Sequence, residues 1–178
     1  AHVLRTRPDG AFTPKDRWAM DWYYPVLGGA ITGDTALAHL NARSDDFIIT
    51  DADGATLGVR CVSDKDWATA AETSECALAH ILAGDQSTAM ELFRATQPMR
   101  QAGGRYLTGI VYPDLVTFPS NECSTYTAAA VILAADALGA CSPASGVFSD
   151  HTSLPDIIDV KDATSRNTDS EARVSDND

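Results

Sequence analysis

Three acids stand at matched places in this chain: Asp21, Glu72 and Glu122 each lie near the opening of a stretch with helical apolar spacing. A helix N-terminus favours a carboxylate, and carboxylates gathered at such ends can be driven to different proton affinities. One acid held protonated beside one held ionised is the pair that glycoside cleavage requires. Trp18, Trp22, Tyr23, Tyr24, Trp67, Tyr112 and Tyr126 are spread among the same approaches, and flat aromatic faces beside carboxylates suit sugar rings. The candidate catalytic residues are therefore Asp21, Glu72 and Glu122, and the candidate substrate-binding residues are Trp18, Trp22, Tyr23, Trp67, Tyr112 and Tyr126. Tyr23 and Tyr24 cannot both face the same way, because adjacent helical residues point about 100° apart. An acid near a helix start is also a ready cap, and an aromatic at helical spacing is also ready core. Recurrence is what favours function, since packing alone would not select an acid at the position shared by Asp21 and Glu72.

The elements that must carry these residues repeat. Asp9-Gly10 leads through Trp18-Ala19-Met20-Asp21 to Gly33-Asp34, and Asp53-Gly54 leads through Trp67-Ala68-Thr69-Ala70-Ala71-Glu72 to Gly84-Asp85. A looser third copy runs from Gly103-Gly104 through Glu122-Cys123-Ser124-Thr125-Tyr126 to Leu138-Gly139. The offset is about 51 residues, a period that reads as an array of helical hairpins, each unable to bury its apolar face alone. Helices are expected over 15–31, with Pro25 kinking or shifting the register, from Asp34 or Thr35 onward, over 67–83, 86–96 and 122–138. Phe47–Thr50 and Thr56–Val62 form a small hairpin around Asp51-Ala52-Asp53-Gly54, and 106–113 is a further extended stretch. The fold class expected is all-α: antiparallel helical hairpins forming part of an (α/α) toroid, with short extended loop segments. Its domain covers 1–148 with three to four hairpins, and 149–178, rich in Ser, Thr and Asp, is an acidic, disordered tail. The opening residues resemble the last turn of a helix, so the chain is expected to be a piece of a longer protein. The rest of the ring would come from a missing N-terminal half or from a second copy in a homo-oligomer.

Bulk properties narrow the partners. The formal net charge of −12 over 178 residues makes nucleic acid a poor partner, because phosphate binding needs a cationic surface. Insertion in a membrane is not expected: the apolar run from Ala128 to Ala135 falls far short of the roughly 20 residues that span a bilayer. Cys61, Cys76, Cys123 and Cys141 show no C-x-x-C spacing and read as reduced thiols of a cytoplasmic protein. Glu72, Cys76 and His80 share one helical stripe at a spacing that can ligate Zn²⁺, but a buried stripe holding a thiol and an imidazole accounts for it, and no metal is expected. Without a glycine-rich phosphate loop, no cofactor is expected either. The partner that remains is a small molecule or glycan substrate.

The run from Asp16-Arg17-Trp18 to Tyr23-Tyr24-Pro25-Val26-Leu27-Gly28-Gly29, together with Gly58-Val59-Arg60-Cys61-Val62, Trp67 to Thr73 and Ser124 to Ala130, resembles the C-terminal half of bacterial, actinobacterial-type α/α-toroid proteins. These are catalogued as prenyltransferase-like and stand between terpene cyclase or prenyltransferase toroids and six-hairpin glycosidases. The likeness covers about residues 7–148 and implies the toroid. Leu92-Phe93-Arg94-Ala95-Thr96-Gln97 followed by Gly103-Gly104-Arg105-Tyr106 is similar to the glutamine, glycine and aromatic repeat of terpene cyclases, which implies architecture rather than catalysis. Neither Ser44-Asp45-Asp46 nor Asp51-Ala52-Asp53 completes the D-x-D-D acid motif of protonating cyclases, and the zinc ligands of protein prenyltransferases have no counterpart. Glycoside hydrolysis or a related glycan modification therefore leads. Glu72 or Glu122 would be its general acid and Asp21 its base. An isoprenoid enzyme and a non-catalytic glycan- or partner-binding module are the alternatives.

Overall fold

The short β-branched runs pair with one another into a single antiparallel sheet, and this decides the architecture. The computed structural model of the chain describes residues 15–149. In chain order these form α1 (Ala19–Leu27), α2 (Asp34–Asn41), α3 (Ser44–Phe47), β1 (Ile48–Thr50), β2 (Thr56–Arg60) and β3 (Trp67–Thr69). There follow α4 (Ala70–Leu82), α5 (Gln86–Ala95), a 3₁₀ turn (Gln97–Met99), β4 (Gly109–Val111), β5 (Val116–Phe118) and α6 (Thr125–Gly139). The strand order is β1-β2-β3-β4-β5, every neighbour antiparallel. The fold is α+β. The expected all-α array, part of an (α/α) toroid, is thereby overturned, and so is the resemblance that implied it. The acidic tail expected from Ser149 and the opening helical turn fall, beyond Ser149 itself, outside the described residues.

The physical reason for the difference lies in strand pairing across long separations. The hairpin of β1 and β2 is local: Asp51 accepts the amides of Asp53 and Ala55 with Oδ1, closing the turn that the Asp-Gly signal marks. By contrast, β3 meets β4 only after the α4–α5 hairpin intervenes, with Ala68 opposite Ile110 and Thr69 opposite Gly109. A Cβ at Gly109 would stand 2.5 Å from the Ala68 carbonyl oxygen, so this close approach of strands needs glycine. Across it Trp67 stacks on Phe118 with ring centroids 4.6 Å apart. Expected to begin a helix, Trp67-Ala68-Thr69 is strand instead.

Thr69 makes that switch. It ends β3 in extended conformation and caps α4, accepting the Glu72 amide at 3.3 Å, while its hydroxyl also bonds the Glu72 carboxylate. Thr-x-x-Glu is a capping box, which terminates the strand and starts the helix at one residue. Thr73, one turn on, donates to the Thr69 carbonyl and accepts the Val59 amide of β2 at 2.9 Å. Helix and sheet are thereby tied where the first turn of α4 begins. α4 is almost wholly buried between α1, α5 and α6, and its alanines permit that crowding. One core gathers Trp22, Tyr23, Leu40, Phe47, Val59 and Leu92; a second, under the sheet, gathers Ile49, Met99, Leu107, Ile110 and Val131.

His80 ends the buried stripe of α4. Its Nδ1 lies 3.2 Å from Asp85 Oδ2, while the buried Nε2 has no partner among the described residues. Neutral imidazole satisfies this geometry by donating from Nδ1; a second proton would sit on Nε2 with no acceptor. Burial accordingly lowers the His80 proton affinity against the pull of Asp85. A base depressed in the folded state leaves stability level above its unfolded value, about 6.5, and lowers stability as pH falls below it. Urea midpoints measured from pH 8 to pH 5 should fall toward acid, and the slope should flatten in His80→Gln.

Candidate active site

The carboxylate on which the fold converges is Glu75. It sits one turn into α4 and is 9% exposed. Its Oε2 accepts the Tyr23 phenol at 2.6 Å, and its Oε1 accepts the Tyr126 phenol at 2.5 Å. Tyr23 comes from α1 and Tyr126 from the first turn of α6, so three helices meet at one side chain. Tyr24 stands beside them, its ring centroid 5.2 Å from that of Tyr23, and both Tyr126 and Glu75 act on its phenol. Buried charge is tolerated only where it is hydrogen-bonded, and the phenols supply those bonds. Burial foremost, then Glu75, raises the Tyr23 phenol well above the usual value. Tyr126 is raised in the same way by burial and by its bond to Glu75. Both remain donors across the working pH range.

Glu72 lies one turn earlier on the same face of α4. Side chains at i and i+3 on a helix stand with Cβ atoms about 5–6 Å apart. Burial raises the Glu72 carboxyl above its ordinary value; the Thr69 hydroxyl and the helix amide oppose this, and the charge of Glu75 adds to it. The charge of Glu72 is felt in turn by Tyr23, Tyr24 and Cys61. Cys61, whose thiol burial pushes up to about 11, is not a nucleophile at neutral pH. The site is thus a pair of neighbouring acids with unequal surroundings. Exposed aromatic surface accompanies it, with Tyr24 41% and Tyr126 54% exposed; Trp18, the residue before α1, is 41% exposed as well.

The other expected residues are placed differently. Asp21 lies in the first turn of α1 and accepts the amide of Lys15, ahead of the helix, at 2.6 Å. Glu122 is exposed, and its carboxylate accepts the Thr108 hydroxyl at 2.9 Å. Among the described residues no hydrogen bond joins Asp21 or Glu122 to Glu72 or Glu75. Trp22 is core, 1% exposed, stacked on Phe47 and donating from Nε1 to the Leu40 carbonyl at 3.2 Å. Its indole presents no open face to solvent. Tyr23 is fully buried and reaches the site through its hydroxyl alone, and Tyr112 is buried beneath the sheet. Trp67 lies on β3 against Phe118. Cys76 is fully buried, its thiol pushed well up, and His80 turns to Asp85. Among the described residues no group of three or more His, Cys, Asp or Glu could hold a metal ion.

Glu75 is the residue that sequence reasoning passed over. The signal was present: Tyr24, Glu75 and Tyr126 follow one another at the offset that separates Asp21 from Glu72, and the Glu75–Tyr126 bond spans 51 residues. Matched positions on α1, α4 and α6 converge, one turn deeper than the acids first singled out.

No family model matches the chain. The chain is similar to the MMP endo-(1,4)-3-O-methyl-alpha-D-mannosidase of Mycolicibacterium hassiacum, 47% identical over 147 residues that make up 83% of this chain. It spans about two fifths of that relative, 39% of its length. The relative is a glycan-cleaving protein by name, and it gives no support to the prenyltransferase likeness. Among the described residues no helix is long and apolar enough to cross a membrane.

Proposed function

We propose that this chain carries an acid pair of a glycoside-cleaving site, acting on (1,4)-linked mannose-type glycans such as the 3-O-methyl-mannosides named for its relative. The observation that carries the reading is Glu75, buried and held by the phenols of Tyr23 and Tyr126, with Glu72 one turn away and raised in proton affinity. Glu72 donates its proton to the glycosidic oxygen as the bond from that oxygen to C1 breaks. Glu75 takes a proton from the water whose oxygen bonds to C1, and exchange with solvent restores both acids. The exposed faces of Trp18 and Tyr24 offer stacking surface for the sugar rings. Asp21 and Glu122 stay outside this pair. The isoprenoid alternative falls with the toroid.

Incubating the full chain with oligosaccharides of (1,4)-linked 3-O-methyl-α-D-mannose should release new reducing ends. Binding without release would leave a glycan-binding module and sink the hydrolytic reading. Because Glu72 works protonated and its carboxyl is raised, the rate should hold above the pH at which an ordinary glutamate ionises, about 4.3, and fall only as pH rises through the elevated value. In Glu72→Gln that alkaline limb should vanish, with kcat lower by about 10²–10⁴-fold.

A further inference from the structure

We infer that Tyr126 is a displaceable gate, whose phenol stands on Glu75 Oε1 where the attacking water must bind and leaves when a sugar chain enters. The inference rests on the glycoside reading and adds a residue that governs entry to the site. The two phenols on Glu75 are not alike. Tyr23 is 0% exposed, packed edge-on against Trp22 at 6.3 Å between centroids, and cannot withdraw without opening the core. Tyr126 is 54% exposed on the first turn of α6, so its ring can rotate into solvent with little packing to lose. Its hydroxyl lies 2.5 Å from Oε1, closer than a water could be interposed. A carboxylate this buried cannot activate water on that oxygen while the phenol remains. Tyr24, 41% exposed and influenced by the Tyr126 hydroxyl, stands beside the phenol at the rim.

The chemistry sets what removal of the hydroxyl should do. A substrate that must first displace the hydrogen bond from the phenol to the Glu75 carboxyl binds more weakly by the fraction of open gate. Tyr126→Phe keeps the ring and removes only the competing donor. KM for the oligosaccharide of (1,4)-linked 3-O-methyl-α-D-mannose should fall about tenfold, with kcat within about twofold of wild type. A fall in kcat of a hundredfold or more at unchanged KM would make Tyr126 a proton relay and overturn the gate; so would unchanged KM and kcat. A second measurement stands apart from turnover. With tyrosines labelled at ¹³Cζ, the oligosaccharide should shift the Tyr126 resonance of the wild-type chain and leave that of Tyr23 in place. A shifted resonance without turnover would remove hydrolysis and leave the gate. Binding with an unmoved Tyr126 resonance would remove the gate and leave hydrolysis. An oligosaccharide that neither binds nor is cut would overturn both.

Discussion

Glu75→Gln should lower kcat by about 10³-fold while moving the melting temperature little. The amide is isosteric, and its oxygen can still accept one phenol while its nitrogen donates to the other, so the meeting of α1, α4 and α6 survives. What the amide cannot do is take a proton from water. Glu75→Ala is the contrasting variant: it leaves the Tyr23 hydroxyl buried without its acceptor, and such an orphan costs about 1–3 kcal/mol. Loss of rate in both variants with loss of stability only in the second would separate chemistry from packing. Wild-type turnover in Glu75→Gln would show that the carboxylate is a structural anchor for three helices and nothing more. Single-turnover assays beside thermal melts make the distinction directly.

The split between Glu72 and Glu75 explains why two acids on one helix face are useful together. Each ionised carboxylate raises its neighbour, so a close pair resists double ionisation. Here Glu75 is the more deeply buried of the two and takes two phenolic donors, whereas Glu72 has a single threonine hydroxyl and its own helix amide. Burial raises the carboxyl of Glu72, the member nearer the helix start, which suits it to the proposed role of proton donor. Thr69 sets this arrangement, because a capping threonine at the end of β3 fixes both where α4 begins and which face its first two acids share.

How much of this was legible in the sequence can be argued from those same residues. The repeat offset predicts that equivalent positions meet, and Tyr24, Glu75 and Tyr126 do meet. The acids chosen at that offset, Asp21 and Glu72, lie one turn nearer the helix ends, where a carboxylate complements the helix dipole. Glu75 was hidden because Thr73-Ser74-Glu75 reads as a solvated helix face, and nothing local says that α1 and α6 cover it. The β1–β2 hairpin was visible through its Asp-Gly turn. The sheet was not, since strands of three to five residues carry too little periodicity to announce partners, and β3 finds β4 only after a helical hairpin has folded between them. Trp67 to Glu72 reads as one helix on composition, and only the capping role of Thr69 divides it.

Trp22 carries the largest expected effect on stability. Trp22→Ala should destabilise the chain by about 3–5 kcal/mol, the range for removing a buried tryptophan. The indole fills space between α1 and Phe47, with the two rings stacked at 5.1 Å between centroids, and it satisfies the Leu40 carbonyl at the end of α2. Deleting it forfeits the transfer energy, leaves a cavity and strips that oxygen of its indole donor, with only the Arg43 amide remaining at 3.4 Å. Trp22→Phe should recover most of the packing but not the hydrogen bond, so its loss should be smaller by more than half. Urea titration of the three proteins checks the order. The site provides a second reading of the same change: Tyr23 follows Trp22 on α1 and packs edge-on against it. A slackened helix should therefore let the Tyr23 phenol drift from Glu75. If Trp22→Ala proves as stable as wild type, α1 is not anchored through this ring, and the rigidity argued for Tyr23 loses its cause.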